Sequence, residues 1–170
     1  MPAARRVRDL GFLVGLHTGG AYPKRLAQLL EAGLLDWVGL DVKGLPQNYP
    51  QVVGRSQARQ AGTDAWQALD LVLAAHRAGT LPDYEVRVTA YPGTEAGDTN
   101  PSALPALARA LHERGVERLA LQQARPDGTR PDFQELCAQT QAKSFAADLA
   151  RQAEELTGKF VYFVFRGSAG

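Results

Sequence analysis

Cysteine is almost missing from this sequence: Cys137 is the only one in 170 residues. A single thiol forms no internal disulfide and supplies no multi-thiolate cage, so the chain cannot hold an iron–sulfur cluster by itself. Flanked by Leu136 and Ala138, Cys137 reads as a small core residue on a helix. An excess of either charge is also lacking. Lys and Arg total 19 against 18 Asp and Glu, a formal net charge of +1, and neither sign forms a long run, which excludes the electrostatic footprint of a nucleic-acid or membrane-surface binder. No apolar stretch approaches the roughly 20 residues that cross a bilayer, and Met1 to Leu10 has no apolar centre of a secretion signal, so a cytoplasmic protein is expected. There is no G-x-S-x-G elbow, no phosphate loop, no H-E-x-x-H and no metal-spaced cysteine pair. A self-sufficient hydrolase or metalloenzyme is therefore not expected.

What the sequence does contain is enough apolar material, 45% of residues, to bury the core of one domain spanning residues 1–170. Short apolar runs alternate with segments of helical period. The pattern predicts a helix from Ala3 to Leu10 closed by Gly11, a strand from Phe12 to Leu16, and a helix from Pro23 to Leu35 with its proline in the first turn. It continues with a strand from Trp37 to Val42, a loop, and a helix from Asp64 to Ala78 capped by Thr63. Next come a strand from Tyr84 to Ala90, a helix from Pro101 to Arg114 capped by Asn100, and a strand from Arg118 to Gln122. A long helical region from Pro131 to Leu156, broken near Lys143 and Ser144, precedes a last strand from Phe160 to Phe165.

Strands separated by helices imply right-handed crossovers and a mainly parallel sheet. A flavodoxin-like sandwich and a partial β/α barrel both meet that requirement. Side-chain alternation separates them. Val38, Leu40 and Val42 oppose Trp37, Gly39, Asp41 and Lys43, while Val86, Val88 and Ala90 oppose Glu85, Arg87, Thr89 and Tyr91. A sandwich needs two apolar faces. One polar face favours an α/β fold of the partial parallel β/α-barrel type, with a ligand on the inner side.

In such folds the site forms at the carboxyl ends of the strands. Those ends carry His17, Thr18, Gly19 and Gly20, then Asp41 and Lys43. They continue with Arg87, Thr89, Tyr91, Pro92 and Gly93, and with Gln122, Gln123 and Arg125. Gly19 and Gly20 either allow the turn before Pro23 or let a ligand approach the loop amides. His17 is either a satisfied loop histidine or a ligand contact. Asp41 and Lys43 form either a structural ion pair or the two ends of a clamp for a zwitterion, and Arg87 either packs against Glu85 or receives a carboxylate or phosphate. His76 and His112 lie near helix C-termini and receive no catalytic role.

The segment Gly11-Phe-Leu-Val-Gly-Leu-His-Thr-Gly-Gly-Ala-Tyr-Pro-Lys-Arg-Leu26, followed by Asp36-Trp-Val-Gly-Leu-Asp-Val-Lys43, closely resembles the activating proteins of anaerobic ribonucleoside-triphosphate reductase, which are radical SAM enzymes. The resemblance continues through Tyr49 to Gly54, Arg87 to Gly93 and Leu119 to Pro126. It implies a partial (βα)6 barrel that binds S-adenosylmethionine and a 4Fe–4S cluster, cleaves the former reductively, and installs a glycyl radical on a partner reductase. It further implies that Asp41, Lys43 and Thr18 hold the methionyl and ribose parts of the cofactor and that Arg87 neutralises a carboxylate. His17 and Gln122 complete the candidate cofactor-binding set.

The family's Cys-x3-Cys-x2-Cys loop and Gly-Gly-Glu-Pro segment have no counterpart here. The expectation is thus the later (βα)4-5 portion of the barrel, truncated by its first two βα units, with its first strand as an exposed edge and no radical activity alone. Two other readings remain open. One is a cluster-free scaffold that binds a nucleotide-like ligand or a partner; the other is a β/α-barrel lyase or isomerase using Lys43 as base or Schiff-base nucleophile beside Asp41.

Overall fold

A computed structural model describes residues 1–53, 59–91, 103–125, 127–128, 131–139 and 142–167. The elements run α1 (Pro2–Asp9), β1 (Gly15–Thr18), α2 (Pro23–Glu31), β2 (Trp37–Asp41), a 3-10 turn (Pro46–Asn48), α3 (Tyr49–Val53) and α4 (Arg59–Arg77). They continue through β3 (Asp83–Ala90), α5 (Leu104–Glu113), β4 (Arg118–Gln123), α6 (Pro131–Gln139), α7 (Ala142–Leu156) and β5 (Tyr162–Arg166). The sheet has five strands in the order β1-β2-β3-β4-β5, each parallel to its neighbour. A doubly wound sheet reverses its strand order part-way and so places helices on both faces. This order never reverses. The protein is therefore an α/β fold with an all-parallel sheet and alternating β/α units, compatible with a partial β/α barrel.

One hydrophobic cluster joins the helices to a single face of the sheet. Val38, Leu40, Val86, Val88, Leu119 and Leu121 are at most 1% exposed, and alternation turns all six toward the same side. Over them lie Leu26 and Leu30 of α2, Trp66, Leu69, Val72 and Leu73 of α4, Leu107 and Leu111 of α5, and Leu149 and Ala153 of α7. Each set repeats at helical spacing, which is why these segments coil as they do. Burying each leucine contributes roughly 1.5–3 kcal/mol. Among the described residues, no helix is long and apolar enough to cross a membrane.

Several boundaries differ from the sequence expectations. The first strand begins at Gly15, not Phe12, because its partner begins at Trp37 and the ladder starts there. Phe12 and Leu13 are 65% and 80% exposed. Immediately after them, the Val14 N–H donates to Asp36 Oδ2 at 2.7 Å, and Asp36 also pairs with Arg8. Helix α2 stops at Glu31, with Leu34 and Leu35 buried beyond its end. Thr63 lies inside α4 rather than capping it. That helix runs through Gly62, where a Cβ would collide with the carbonyl of Pro46, so the missing side chain lets the 3-10 turn dock against it. The segment read as a loop holds that turn and α3. Asn100 and Pro101 lie outside the described residues. Two helices, α6 and α7, stand where the sequence predicts a long helical region broken near Lys143 and Ser144, and residues 140 and 141 between them lie outside the described residues. Cys137 falls within α6.

Candidate functional site

The polar face of the sheet is built by the same alternation that builds the core. Residues two apart on each strand share it, and parallel register aligns them in rows. His17 is level with Gly39 and Glu85. Asp41 is level with Arg87, Ala120 and Val164, and Thr89 with Gln122 and Arg166. Polar side chains on three neighbouring central strands thus meet without any loop rearrangement.

Within these rows the charges pair across strands. Arg87 donates from Nε to Asp41 Oδ1 at 2.8 Å, with side-chain exposures of 16% and 33%. Of the alternatives the sequence leaves open, neither structural pairing forms: Asp41 pairs with Arg87 rather than Lys43, and Arg87 with Asp41 rather than Glu85. The reason is register, since Asp41 and Arg87 lie side by side on adjacent strands whereas Lys43 is beyond the end of β2. Glu85 is instead held by Arg166, whose two terminal nitrogens donate at 2.9 and 2.7 Å. The hydrogen bonds to Glu85 raise the Arg166 pKa above its ordinary value despite some desolvation, so this guanidinium stays charged. Gln122 donates from Nε2 to Thr89 Oγ1 at 2.7 Å.

Lys43 is exposed and has no ion pair among the described residues. Its backbone is fixed. The Lys43 N–H donates to the Tyr49 hydroxyl at 3.1 Å, and the Trp66 indole N–H donates to the Gly44 carbonyl at 2.9 Å. Tyr49 is 2% exposed. Burial pushes its pKa up to about 12, the Lys43 amide offsets this in part, and the Asp41 charge adds a smaller upward push. The loop that presents Lys43 beside Asp41 is therefore pinned at two buried aromatic side chains.

His17 lies on the polar face at the sheet edge, edge-on to Trp37 with ring centroids 4.9 Å apart. Thr18 is not brought together with Asp41 and Arg87. It is level with Leu40, and alternation turns its side chain toward the helix side. Its Oγ1 accepts the Gly20 N–H at 3.1 Å, a local turn contact. Gly20 is buried against Ala65 and Ala68 of α4, so its close approach is to a helix, whereas Gly19 is open. At the carboxyl edge Tyr91 meets Phe133 of α6 with ring centroids 5.7 Å apart. Pro92 and Gly93 lie outside the described residues.

Sequence reasoning misses Arg166 because it ends the last strand at Phe165. The alternation Tyr162, Val164, Arg166 on that strand carries the signal that places it on the polar face. Among the described residues no three His, Cys, Asp or Glu side chains are grouped to hold a metal ion. In comparisons with known proteins, the chain matches no family model, no curated protein and no solved structure.

Chemically, the site offers a carboxylate with one oxygen engaged by Arg87 and its outer part exposed. Two residues along the chain stands an ammonium with no ion pair among the described residues. An acid and a base two residues apart along the chain match the ammonium and carboxylate of an amino-acid moiety.

Proposed function

We propose that this chain is the S-adenosylmethionine-binding part of a radical SAM activase that serves the glycyl-radical subunit of an anaerobic ribonucleotide reductase in the cytoplasm. The observation that carries the reading is the Asp41–Arg87 pair beside the exposed Lys43, at the carboxyl edge of a polar sheet face. Asp41 accepts the methionyl ammonium through its second oxygen, Lys43 receives the carboxylate, and Arg87 fixes the Asp41 rotamer. His17 and Gln122 line the remaining polar surface, and Tyr91 with Phe133 offers an apolar wall at the same edge. Bound S-adenosylmethionine supplies an activated sulfonium; the residues of this chain bind and orient it.

A 4Fe–4S cluster does not fit the residues present. Cys137 is the single thiol of the sequence, and such a cluster is held by several thiolates. No radical step is assigned to this chain alone. The internal pairing of Glu85 with Arg166 and Gln122 with Thr89 favours a second reading, a cluster-free scaffold that binds its ligand without turnover.

Titration calorimetry of the 170-residue chain with S-adenosylmethionine tests the first reading. Saturable one-site binding at or below ~1 mM, weakened about 5–10-fold by Asp41→Asn or Lys43→Ala, is the expected result. Absence of saturation in that range removes it. Binding only to the reductase subunit, with none to S-adenosylmethionine, leaves the scaffold reading.

A further inference from the structure

The β1 edge of the sheet carries a concentration of apolar surface that the fold does not use. Six of the eight large apolar side chains exposed among the described residues lie within residues 1–22, around β1. Leu10, Phe12, Leu13 and Tyr22 are 67%, 65%, 80% and 77% exposed. Helix α1 buries none of its own residues, so it gives them no cover. Apolar surface concentrated in this way marks an interaction site.

The backbone of β1 is open along the same edge. The Val14 carbonyl accepts the Trp37 N–H, which starts the ladder to β2. In a parallel pair every second residue turns both of its backbone groups to the same neighbour. Val14, Leu16 and Thr18 therefore bond toward β2, while Gly15 and His17 turn their N–H and C=O groups outward, where no strand lies among the described residues. Proteins blunt such an edge with a charge, a proline or a bulge. Between Gly11 and Tyr22 there is no Asp, Glu, Lys, Arg or Pro. The opposite edge is guarded: β5 ends in Arg166, and the Arg118 guanidinium lies 5.1 Å over the Tyr162 ring.

We propose that two copies of this chain pair through β1 as an isologous antiparallel dimer. A two-fold axis through Leu16, perpendicular to the sheet, sets Gly15 of one copy opposite His17 of the other. Each such pair exchanges two N–H···O=C bonds, so the outward groups of both residues are all satisfied. Reversal of direction brings the residues before one β1 beside those after the other. Leu10, Phe12 and Leu13 then meet Tyr22 of the second copy, and Gly19, open on every side, places no side chain between them. These four residues expose roughly 600 Å² on each copy, and the two sets together supply about 1,200 Å², the lower end of stable specific interfaces. The contact runs along the sheet edge and not over the polar face, so the proposal stands whether or not S-adenosylmethionine binds.

The test is light scattering on the intact chain during size-exclusion chromatography, from ~1 to ~200 μM. A mass twice the 18.3 kDa of the chain is expected at the upper end. Leu13→Glu puts a charge on a residue that the fold leaves exposed and should weaken the dimer about tenfold or more. Gly15→Pro removes an outward N–H without touching the bonds to β2 and should do the same. The Gly15 and His17 amides should exchange slowly in the dimer and fast in Leu13→Glu. A monomer at ~200 μM overturns the proposal, as does a dimer that neither substitution weakens. Growth beyond two copies also overturns it, since that marks head-to-tail pairing of β1 with β5. Should Gly15→Pro not fold, Leu13→Glu decides alone.

Discussion

Arg166 clasps Glu85 with both terminal nitrogens although β4 lies between their two strands. The ion pair must therefore cross the polar face of β4. Ala120 makes that possible: it is level with Val164 of β5 and Arg87 of β3, and it is a small, fully buried residue on that face. The result is a lace from the last strand to the middle of the sheet. It gives the polar face a fixed floor on which Asp41 and Arg87 are presented.

Removing one side of that lace should be costly. The Glu85 side chain is 11% exposed and that of Arg166 is 43% exposed, so Arg166→Ala leaves a nearly buried carboxylate without its partner. The loss should be about 2 kcal/mol, below the value for a wholly buried pair because water reaches the arginine. Urea unfolding of Arg166→Ala, Glu85→Gln and the double variant measures it. The double variant should be less destabilised than the sum of the two; strict additivity would show that the clasp does not couple the strands.

Tyr49 predicts an alkaline transition. Its phenol ionises at about 12 in the folded protein, against an ordinary value of 10.0. The folded state therefore holds this proton more tightly than the unfolded chain. Stability from Tyr49 is complete below pH ~10 and declines as pH rises toward ~12, by roughly 2–3 kcal/mol in all. Tyr84, also raised mainly by burial, adds a loss of the same sign. Denaturant melts across this range should show the decline, and Tyr49→Phe should flatten it to the Tyr84 contribution. An unchanged slope in that variant would mean that Tyr49 is not the buried phenol responsible.

Gly39 predicts a steric coupling between two ligand-side rings. A Cβ at this position would collide with the Trp37 ring and come within 2.9 Å of His17 Nδ1. Gly39→Ala should displace the indole from its edge-on contact with His17, at a cost of about 1–3 kcal/mol. Changed Trp37 fluorescence together with a shifted His17 ring resonance is the expected signature, and retention of both signals would place the rings farther apart than described.

Much of this architecture is legible in the sequence, for reasons that particular residues make plain. Val38, Leu40 and Val42 against Gly39 and Asp41 define two faces because strand geometry has period 2, and the parallel order follows from the helices between strands. Partners across strands are not legible. Whether Asp41 meets Lys43 or Arg87 depends on register between β2 and β3, which no local pattern encodes. Thr18 is drawn to the polar edge by its place beside His17, but adjacent strand residues face opposite ways, and its hydroxyl is spent on the Gly20 turn. Boundaries such as the start of β1 depend on where the neighbouring strand begins, and that too is a tertiary fact.

The Lys43 and Asp41 variants separate a ligand role from a structural one. Lys43 is exposed and bonds the fold through its backbone amide, a contact that Lys43→Ala leaves in place. Its melting temperature should match that of the unaltered protein, while S-adenosylmethionine affinity should fall about 5–10-fold for loss of one charge-assisted contact. Asp41→Asn removes the Arg87 ion pair as well, so both stability and affinity should fall, the former by about 1 kcal/mol for a partly exposed pair. Lys43→Arg preserves the charge and should recover most of the affinity lost in Lys43→Ala. A Lys43→Ala protein that binds as tightly as the original would remove the ammonium from the site and, with it, the zwitterion clamp on which the cofactor reading depends.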